Sequence, residues 1–448
     1  MPINLIYNMK EIHANSLLRN PALRLIAAGF CAAGMALAVS AEEAYDVYVL
    51  QVGDGTAVTS EFKPFTVLHF SGAGGDLEPG DSWEAPSTEP EDRITMAPGY
   101  TTYSYLNRSI DGRYLVFAGL DVEVGMTEGS ATSTVIGAFD LASRTFDTST
   151  RPVVSDEAAA LRKRSAASVD GSGFWMAGQG GGVWYAEHGA AEGVMVSSVG
   201  FQFADVQIFE GNLYVGRRAG GTRGVWVWEG LPTTADNVEV TRLQNEEDGS
   251  GWEPAAPGGG YGSFDFYDQE TLFINHLNDG NHTIEVFKRG EGPYVWNLLT
   301  GEGQILGGLQ GITHLNAVPD GDQVRLYYTS GTGTSSSALW TVSWDPDEET
   351  FGQPERILDA ANGYSFGGIV AIPVADEIDA DFRVTGIQVD ETSVIIEWTG
   401  GQPPYQVQRR ASLVDDDWEN LGEPTESNQA TDEVQAGERS RFYRVLGN

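Results

Sequence analysis

Cysteine is all but missing from this chain: Cys31 is the single one in 448 residues. It lies in an N-terminal apolar run, so the rest of the chain has no disulfide framework and no thiol chemistry. Lysine is nearly as scarce, at positions 10, 63, 163 and 288. With 26 basic residues against 64 acidic ones, the formal net charge is −38. A surface this acidic repels nucleic-acid phosphates and anionic lipid headgroups, which excludes both as partners and favours a soluble monomer. Helical periodicity is also missing; only 156–164 has the makings of a helical turn or two.

The N-terminus has the three parts of a secretory signal. Lys10, Arg19 and Arg24 precede the apolar run Leu25–Val39, and small residues follow. Val39 and Ala41 suit the positions before a cleavage site, so residues 1–41 are expected to be a signal peptide. Phe30 before Cys31 is wrong for a lipid-anchor box, and no later segment is apolar for long enough to cross a membrane. The expected locations are the periplasm or the medium.

Strand patterns fill most of the rest. Runs of β-branched and aromatic residues are bounded by Gly, Asp and Asn, and the chain holds 56 glycines. A unit recurs: a turn of Asp-Gly type, an apolar strand, then a second strand. Asp111–Gly119, Asp170–Gly178 and Glu210–Gly216 are the clearest copies, with weaker ones starting at Asp268 and Asp320. The second strands are expected at Thr134–Phe139, Gly182–Ala186, Gly224–Trp228, Thr283–Phe287 and Ala338–Trp344. Such spacing suits the blades of a β-propeller, small sheets that bury their faces by stacking radially. Tyr45–Gly53 reads as a later strand with no inner strand before it, and Tyr364–Val374 as an inner strand with nothing after it. Pairing them would close the ring. The fold expected for 42–374 is an all-β propeller of about six blades, or seven if the acidic, Gly- and Pro-rich stretch Ser71–Tyr100 hides a strand pair. That stretch, and Asn245–Gly260, read as loops, and Phe65–Phe70 as the outer strand of its blade.

An acidic linker, 375–381, leads to a different pattern in 382–448. Ser393–Trp398 alternates toward Trp398, Pro403–Arg409 is a strand entered by prolines, Trp418 sits in a short strand, and Phe442–Val445 comes last. With Glu397-Trp398-Thr399-Gly400-Gly401, these segments resemble a fibronectin-III-like β-sandwich of the kind found at the ends of exported bacterial proteins. The resemblance implies a spacer or attachment module. Likewise Tyr48–Gly55 and Arg108–Leu115 resemble segments of secreted bacterial β-propeller proteins of unassigned activity. That likeness covers about the first four-fifths of the chain. It implies fold and export and transfers no catalytic residue.

Sites for chemistry are few. Past the signal there are five histidines, 69, 188, 276, 282 and 314, and none has zinc-helix spacing. His276 and His282 flank a turn and could meet across a hairpin to bind a metal; a solvated loop is the plainer reading. Tyr261-Gly262-Ser263-Phe264 lacks the second glycine of a nucleophile elbow, and Gly180-Gly181-Gly182 precedes a strand, where it offers no helix N-terminus to phosphate. Calcium is the one candidate ion, since Asn278–Asn281, Asp345–Glu349 and Asp415–Asp417 supply oxygens, though none matches a twelve-residue calcium loop. The tryptophans at 175, 184, 226, 228, 340 and 344 have core spacing, which suits packing between blades better than stacking on sugars.

A propeller's usual site is the funnel at the start of its inner strands. These are expected near Tyr103–Ile110, Arg164–Val169, Phe203–Ile208, Gly262–Phe266, Ile312–Val318 and Tyr364–Val370. Their polar residues are the candidate ligand-binding set: Asn107, Arg108, Arg164, Asp205, Asp265, His314 and Asn316. The competing reading is that they bond neighbouring strands, since buried polar groups need partners whatever the function. No catalytic residue is assigned. The expected function is a non-catalytic exported scaffold binding a glycan or protein partner. The alternative is a propeller hydrolase or lyase acting on polysaccharide or lactone, with calcium as its candidate cofactor; its warrant is analogy of fold.

Overall fold

The structure is a computed structural model and describes residues 44–57, 61–96, 104–127, 133–153, 163–200, 202–219, 223–235, 239–244, 260–277, 282–301, 303–309, 311–331, 337–374, 383–389, 393–399, 404–410, 419–425, 427–433 and 442–446. The expected signal peptide, residues 156–162 of the expected helical turn, residues 245–259 of the expected loop, and the clusters at 278–281 and 415–417 lie outside them; Lys163 and Arg164, at the end of the expected helical turn, and Gly260, at the end of the expected loop, are in strands instead. Every described element is a strand. The chain divides into two compact units, Ser40–Val374 and one containing Ala375–Asn448.

The first unit is a six-bladed propeller. Its strands run β1 (Ala44–Gly53), β2 (Phe65–Ala73) and β3 (Asp76–Glu84) in blade one, then β4 (Asn107–Arg108), β5 (Tyr114–Leu120), β6 (Thr134–Asp140) and β7 (Thr145–Thr150) in blade two. Blade three holds β8 (Lys163–Ser168), β9 (Gly173–Gly178), β10 (Val183–Glu187) and β11 (Val194–Ser197). Blade four holds β12 (Phe203–Phe209), β13 (Asn212–Arg217), β14 (Gly224–Trp228) and β15 (Val240–Arg242). Blade five holds β16 (Gly260–Phe266), β17 (Thr271–Leu277), β18 (His282–Arg289), β19 (Trp296–Leu298) and β20 (Ile305–Leu309). Blade six holds β21 (His314–Asp320), β22 (Gln323–Ser330), β23 (Ala338–Asp345), β24 (Thr350–Phe351) and β25 (Glu355–Asp359). The last propeller strand, β26 (Tyr364–Pro373), returns to blade one and pairs antiparallel with β1, from Tyr45 opposite Pro373 to Gly53 opposite Tyr364. The ring is closed by this pairing of distant segments.

The recurring turn is the one the repeat implies. Gly112 and Gly171 have φ of 76° and 82°, which a residue with a Cβ adopts only at a cost. Asp111 and Asp170 brace these turns by accepting from the backbone N–H two residues on. One expectation needs correction. Phe65–Phe70 is not the outer strand of its blade, because β3 pairs outside it. Six blades follow, since the described part of Ser71–Tyr100 contributes this one outer strand. β3 escapes a sequence reading because seven of its nine residues are exposed, so it carries no apolar alternation.

The core consists of six apolar layers, one in each seam between blades. Val116, Ile136 and Ala138 of blade two meet Phe174, Met176 and Trp184 of blade three. At the closing seam Val318, Tyr327 and Leu339 of blade six meet Tyr45, Val49 and Ile369 of blade one. Trp175, Trp228 and Trp344 are buried in such seams, as their spacing suggested, while Trp226 and Trp340 are half-buried at their margins.

The second unit has two three-stranded sheets. One orders β27 (Arg383–Val389), β28 (Ser393–Thr399) and β31 (Gln429–Glu433); the other orders β30 (Glu419–Asn420), β29 (Gln406–Arg410) and β32 (Phe442–Leu446). Ile396 and Trp398 share one core with Tyr405, Val407 and Tyr443. Inside it Asp432 accepts from the Tyr443 hydroxyl at 2.9 Å and pairs with Arg409.

Candidate functional site

The inner strands β4, β8, β12, β16, β21 and β26 surround the axis, and side chains bond each to the next. Asn107 Nδ2 donates to the Ala166 and Val206 carbonyls at 3.1 and 2.9 Å. Ser165 Oγ accepts from the Val206 N–H at 3.1 Å. Gln207 donates to the Phe264 carbonyl. Ser263 Oγ accepts from the Leu315 N–H at 3.1 Å, and Asp265 Oδ2 from the Ala317 N–H at 2.6 Å. Asn316 Oδ1 accepts from the Ala371 N–H at 2.8 Å, and His314 Nδ1 lies 3.1 Å from the backbone of Ile369. The Gly368 N–H completes the circle on the Ser104 carbonyl at 2.5 Å.

This circle decides the fate of the expected site residues. Asp205 has no exposed surface. Its Oδ1 accepts from Ser165 Oγ at 2.8 Å and from the Val206 N–H at 2.9 Å, with Asn107 Nδ2 at 3.3 Å. Its Oδ2 accepts from Gln207 at 3.3 Å, and His314 Nε2 stands 3.6 Å away with no hydrogen-bond partner. Six of the seven expected residues therefore sit on the inner ring. Arg108 does not join it: its exposed side chain turns back and donates from Nε to the Gly112 carbonyl at 3.0 Å. The network also enlists Ser165 and Gln207, which the sequence did not single out, and Ser263, which it raised only as a nucleophile. All three are neutral and stand on the same strands, so their placement was the available signal.

Asp265 differs from Asp205. Protein crowds it on nearly every side, yet it keeps part of its surface on the axis, and only its Oδ2 takes the bonds from Asn316 and Ala317. Burial, reinforced by the negative charge of Asp205, pushes its carboxyl up to about 7 despite these bonds and the nearby His314.

The ends of the inner strands where β8, β12 and β21 start carry the opposite charge. There Arg164 donates from Nη1 to the Phe203 carbonyl at 2.8 Å and from Nη2 to Gln202 Oε1 at 3.2 Å. Arg164 and Arg218 both act electrostatically on the buried Tyr105, and Arg218 also on His282. Arg218 was not anticipated: it follows β13, outside the inner strands. The funnel thus has a guanidinium-lined mouth above buried carboxylates.

The other candidates resolve differently. His276 lies opposite Thr283 in the β17–β18 pairing, so His282, one residue away, points to the other face of the sheet. The two imidazoles therefore cannot meet across the hairpin. His276 Nδ1 instead bonds Glu285 Oε1 at 2.7 Å. Asp345 Oδ1 accepts from the Asp347 and Glu348 N–H groups at 2.9 and 3.0 Å, a turn brace rather than an open ion ligand. Asp140 braces the turn before β7 in the same way. Ser263 is wholly buried among strands, without the setting of a nucleophile elbow. Among the described residues no group of three or more His, Cys, Asp or Glu side chains is placed to hold a metal ion.

No family model matches the sequence, and no curated protein matches it. Solved structures of similar shape exist. The extracellular domain of a provisionally assigned one component system from B. thetaiotaomicron is 10% identical, with a TM-score of 0.37, over 90% of this chain and 57% of that one. A hypothetical selenium-binding protein from Sulfolobus tokodaii is 9% identical, with a TM-score of 0.40, over 74% of this chain and 94% of that one. This chain therefore spans little more than half of the first of these. At such distance the likeness says nothing of what this chain binds.

Proposed function

We propose that the protein is an exported, non-catalytic scaffold whose propeller receives a glycan or a protein partner at the mouth of its funnel. The observation that carries this reading is the use made of the inner-strand polar groups. Asp205, Asn107, Ser165 and Ser263 are committed to bonds between blades, so the most buried carboxylate of the axis serves the ring rather than a substrate. What faces outward is the mouth with Arg218 and, deeper, one oxygen of Asp265. Export rests on the signal-like residues 1–41. The C-terminal unit is proposed to be a fibronectin-III-like spacer, on its sequence pattern and its two three-stranded sheets.

Thermal unfolding against a panel of glycans, with and without calcium, tests the proposal, because a ligand that binds only the folded state raises the midpoint. A shift with a glycan supports it. No shift with any glycan, and no capture of an envelope protein, would sink it. A second reading, hydrolase or lyase, draws on Asp265, a carboxyl titrating near neutrality beside Asp205 and His314, as a general acid would. It requires turnover of a polysaccharide or lactone that Asp265→Asn abolishes.

A further inference from the structure

Asparagine precedes glycine at a single place in this sequence, Asn362-Gly363. The pair forms the middle of a turn in which the Tyr364 N–H donates to the Ala361 carbonyl at 3.0 Å, and Gly363 has a φ of 83°. This turn delivers the chain to β26, so it stands where the ring closes. Asn362 is exposed, and among the described residues neither its side chain nor the Gly363 N–H has a hydrogen-bond partner. Glycine has no side chain to shield its own nitrogen and lets the backbone bend toward the asparagine.

We propose that Asn362 is a site of spontaneous deamidation, and that its isoaspartyl product loosens the pairing that closes the ring. The Gly363 nitrogen, once hydroxide has taken its proton, attacks Asn362 Cγ. The N–Cγ bond forms, the Cγ–Nδ2 bond breaks, and ammonia leaves a succinimide ring behind. Water then opens either carbonyl of that ring, giving aspartate or isoaspartate; nothing is oxidised or reduced. Isoaspartate carries the main chain through its side-chain carbon, so the backbone gains a methylene. The neighbouring backbone leaves no room for it. The Gly363 carbonyl oxygen lies 2.2 Å from where a Cβ on Gly53 would stand. A Cβ on Gly363 would meet the carbonyl carbon of Gly55 at 2.4 Å and the Thr56 carbonyl oxygen at 2.5 Å. Gly53 lies opposite Tyr364 in the pairing of β1 with β26, so a displacement at Gly363 reaches the first rung of the closing ladder.

The test is to age the purified protein at neutral and at mildly alkaline pH, digest it with trypsin, and follow the peptide 357–383, which Arg356 and Arg383 bound, by mass spectrometry. This peptide is expected to exchange NH2 for OH ahead of every other asparagine-containing peptide, and faster at the higher pH. Fragmentation should place isoaspartate at 362. The modified form, separated by anion exchange, should unfold at a midpoint at least about 2 °C below that of the parent. Asn362→Gln should abolish both the mass change and the fall in midpoint. Freshly purified Asn362→Asp adds the charge without lengthening the backbone, and should keep the parent midpoint. An Asn362 that stays intact in the folded protein, whether or not it converts in denaturant, overturns the site. A modified form that melts with the parent, or an Asn362→Asp chain that falls as far, overturns the part given to the lengthened backbone.

Discussion

Two buried residues bear on the response to pH with opposite signs. Lys163 is 1% exposed, its Nζ has no hydrogen-bond partner, and the Trp184 ring lies 5.2 Å away. Burial alone pulls its amine down to about 7. The unfolded chain then holds a proton that the folded chain has lost between pH 7 and 10.5, so stability rises with pH across that window, by at most about 1.4 kcal/mol per unit. Lys163→Met should flatten this rise in chemical denaturation and be the more stable form at neutral pH; an unchanged slope would contradict it. Asp265 has the opposite sign. Its folded value of about 7 lies above the ordinary 3.8, so the folded state holds the proton longer and stability falls as pH climbs from about 4 to 7. Asp265→Asn should remove that fall, measured by the same denaturation series. If both variants keep the wild-type profile, other groups govern it. Neither position was legible as a titrating group. Lys163 read as one more scarce lysine and Asp265 as a polar residue of the funnel with nothing to mark a shifted titration, because burial is set by blades distant in sequence.

At the scale of the element, the strands were largely readable and their edges were not. The expected inner and middle strands were found because their apolar runs alternate with braced turns. The outer strand β3 was missed because solvent covers it. The seams follow from these runs. Trp344 lies in the seam of blades five and six, with its ring centre 6.0 Å from that of Phe273. Trp344→Ala should cost about 3–5 kcal/mol of unfolding free energy, read in denaturant titration. A loss below about 1 kcal/mol would show that the seam collapses to fill the gap. Asn316 acts on the closing strand: it accepts from Ala371 and donates to Asp265. Asn316→Ala leaves a backbone N–H without its acceptor and should cost about 1–3 kcal/mol. The midpoint of thermal unfolding should fall accordingly, with no change in far-ultraviolet dichroism.

For the whole molecule, ring closure is the decisive device. β26 is reached after every other blade is made, and it pairs with the first strand of the unit. A chain ending at Gly363 lacks that inner strand and exposes the long edge of β1, so it should fail to unfold cooperatively. A chain ending at Val374 keeps all six blades and should retain one sharp transition; if it melts gradually instead, the propeller does not fold without the second unit. The amino-acid sequence by itself determined the all-β character and the turn-marked repeat, because these depend on local backbone preference and on the period of apolar residues. Tertiary structure alone decided that Asp205 and its neighbours fasten the blades and that His276 and His282 stand on opposite faces. Pairing, burial and charge balance are relations between segments from different blades, and no local pattern encodes them.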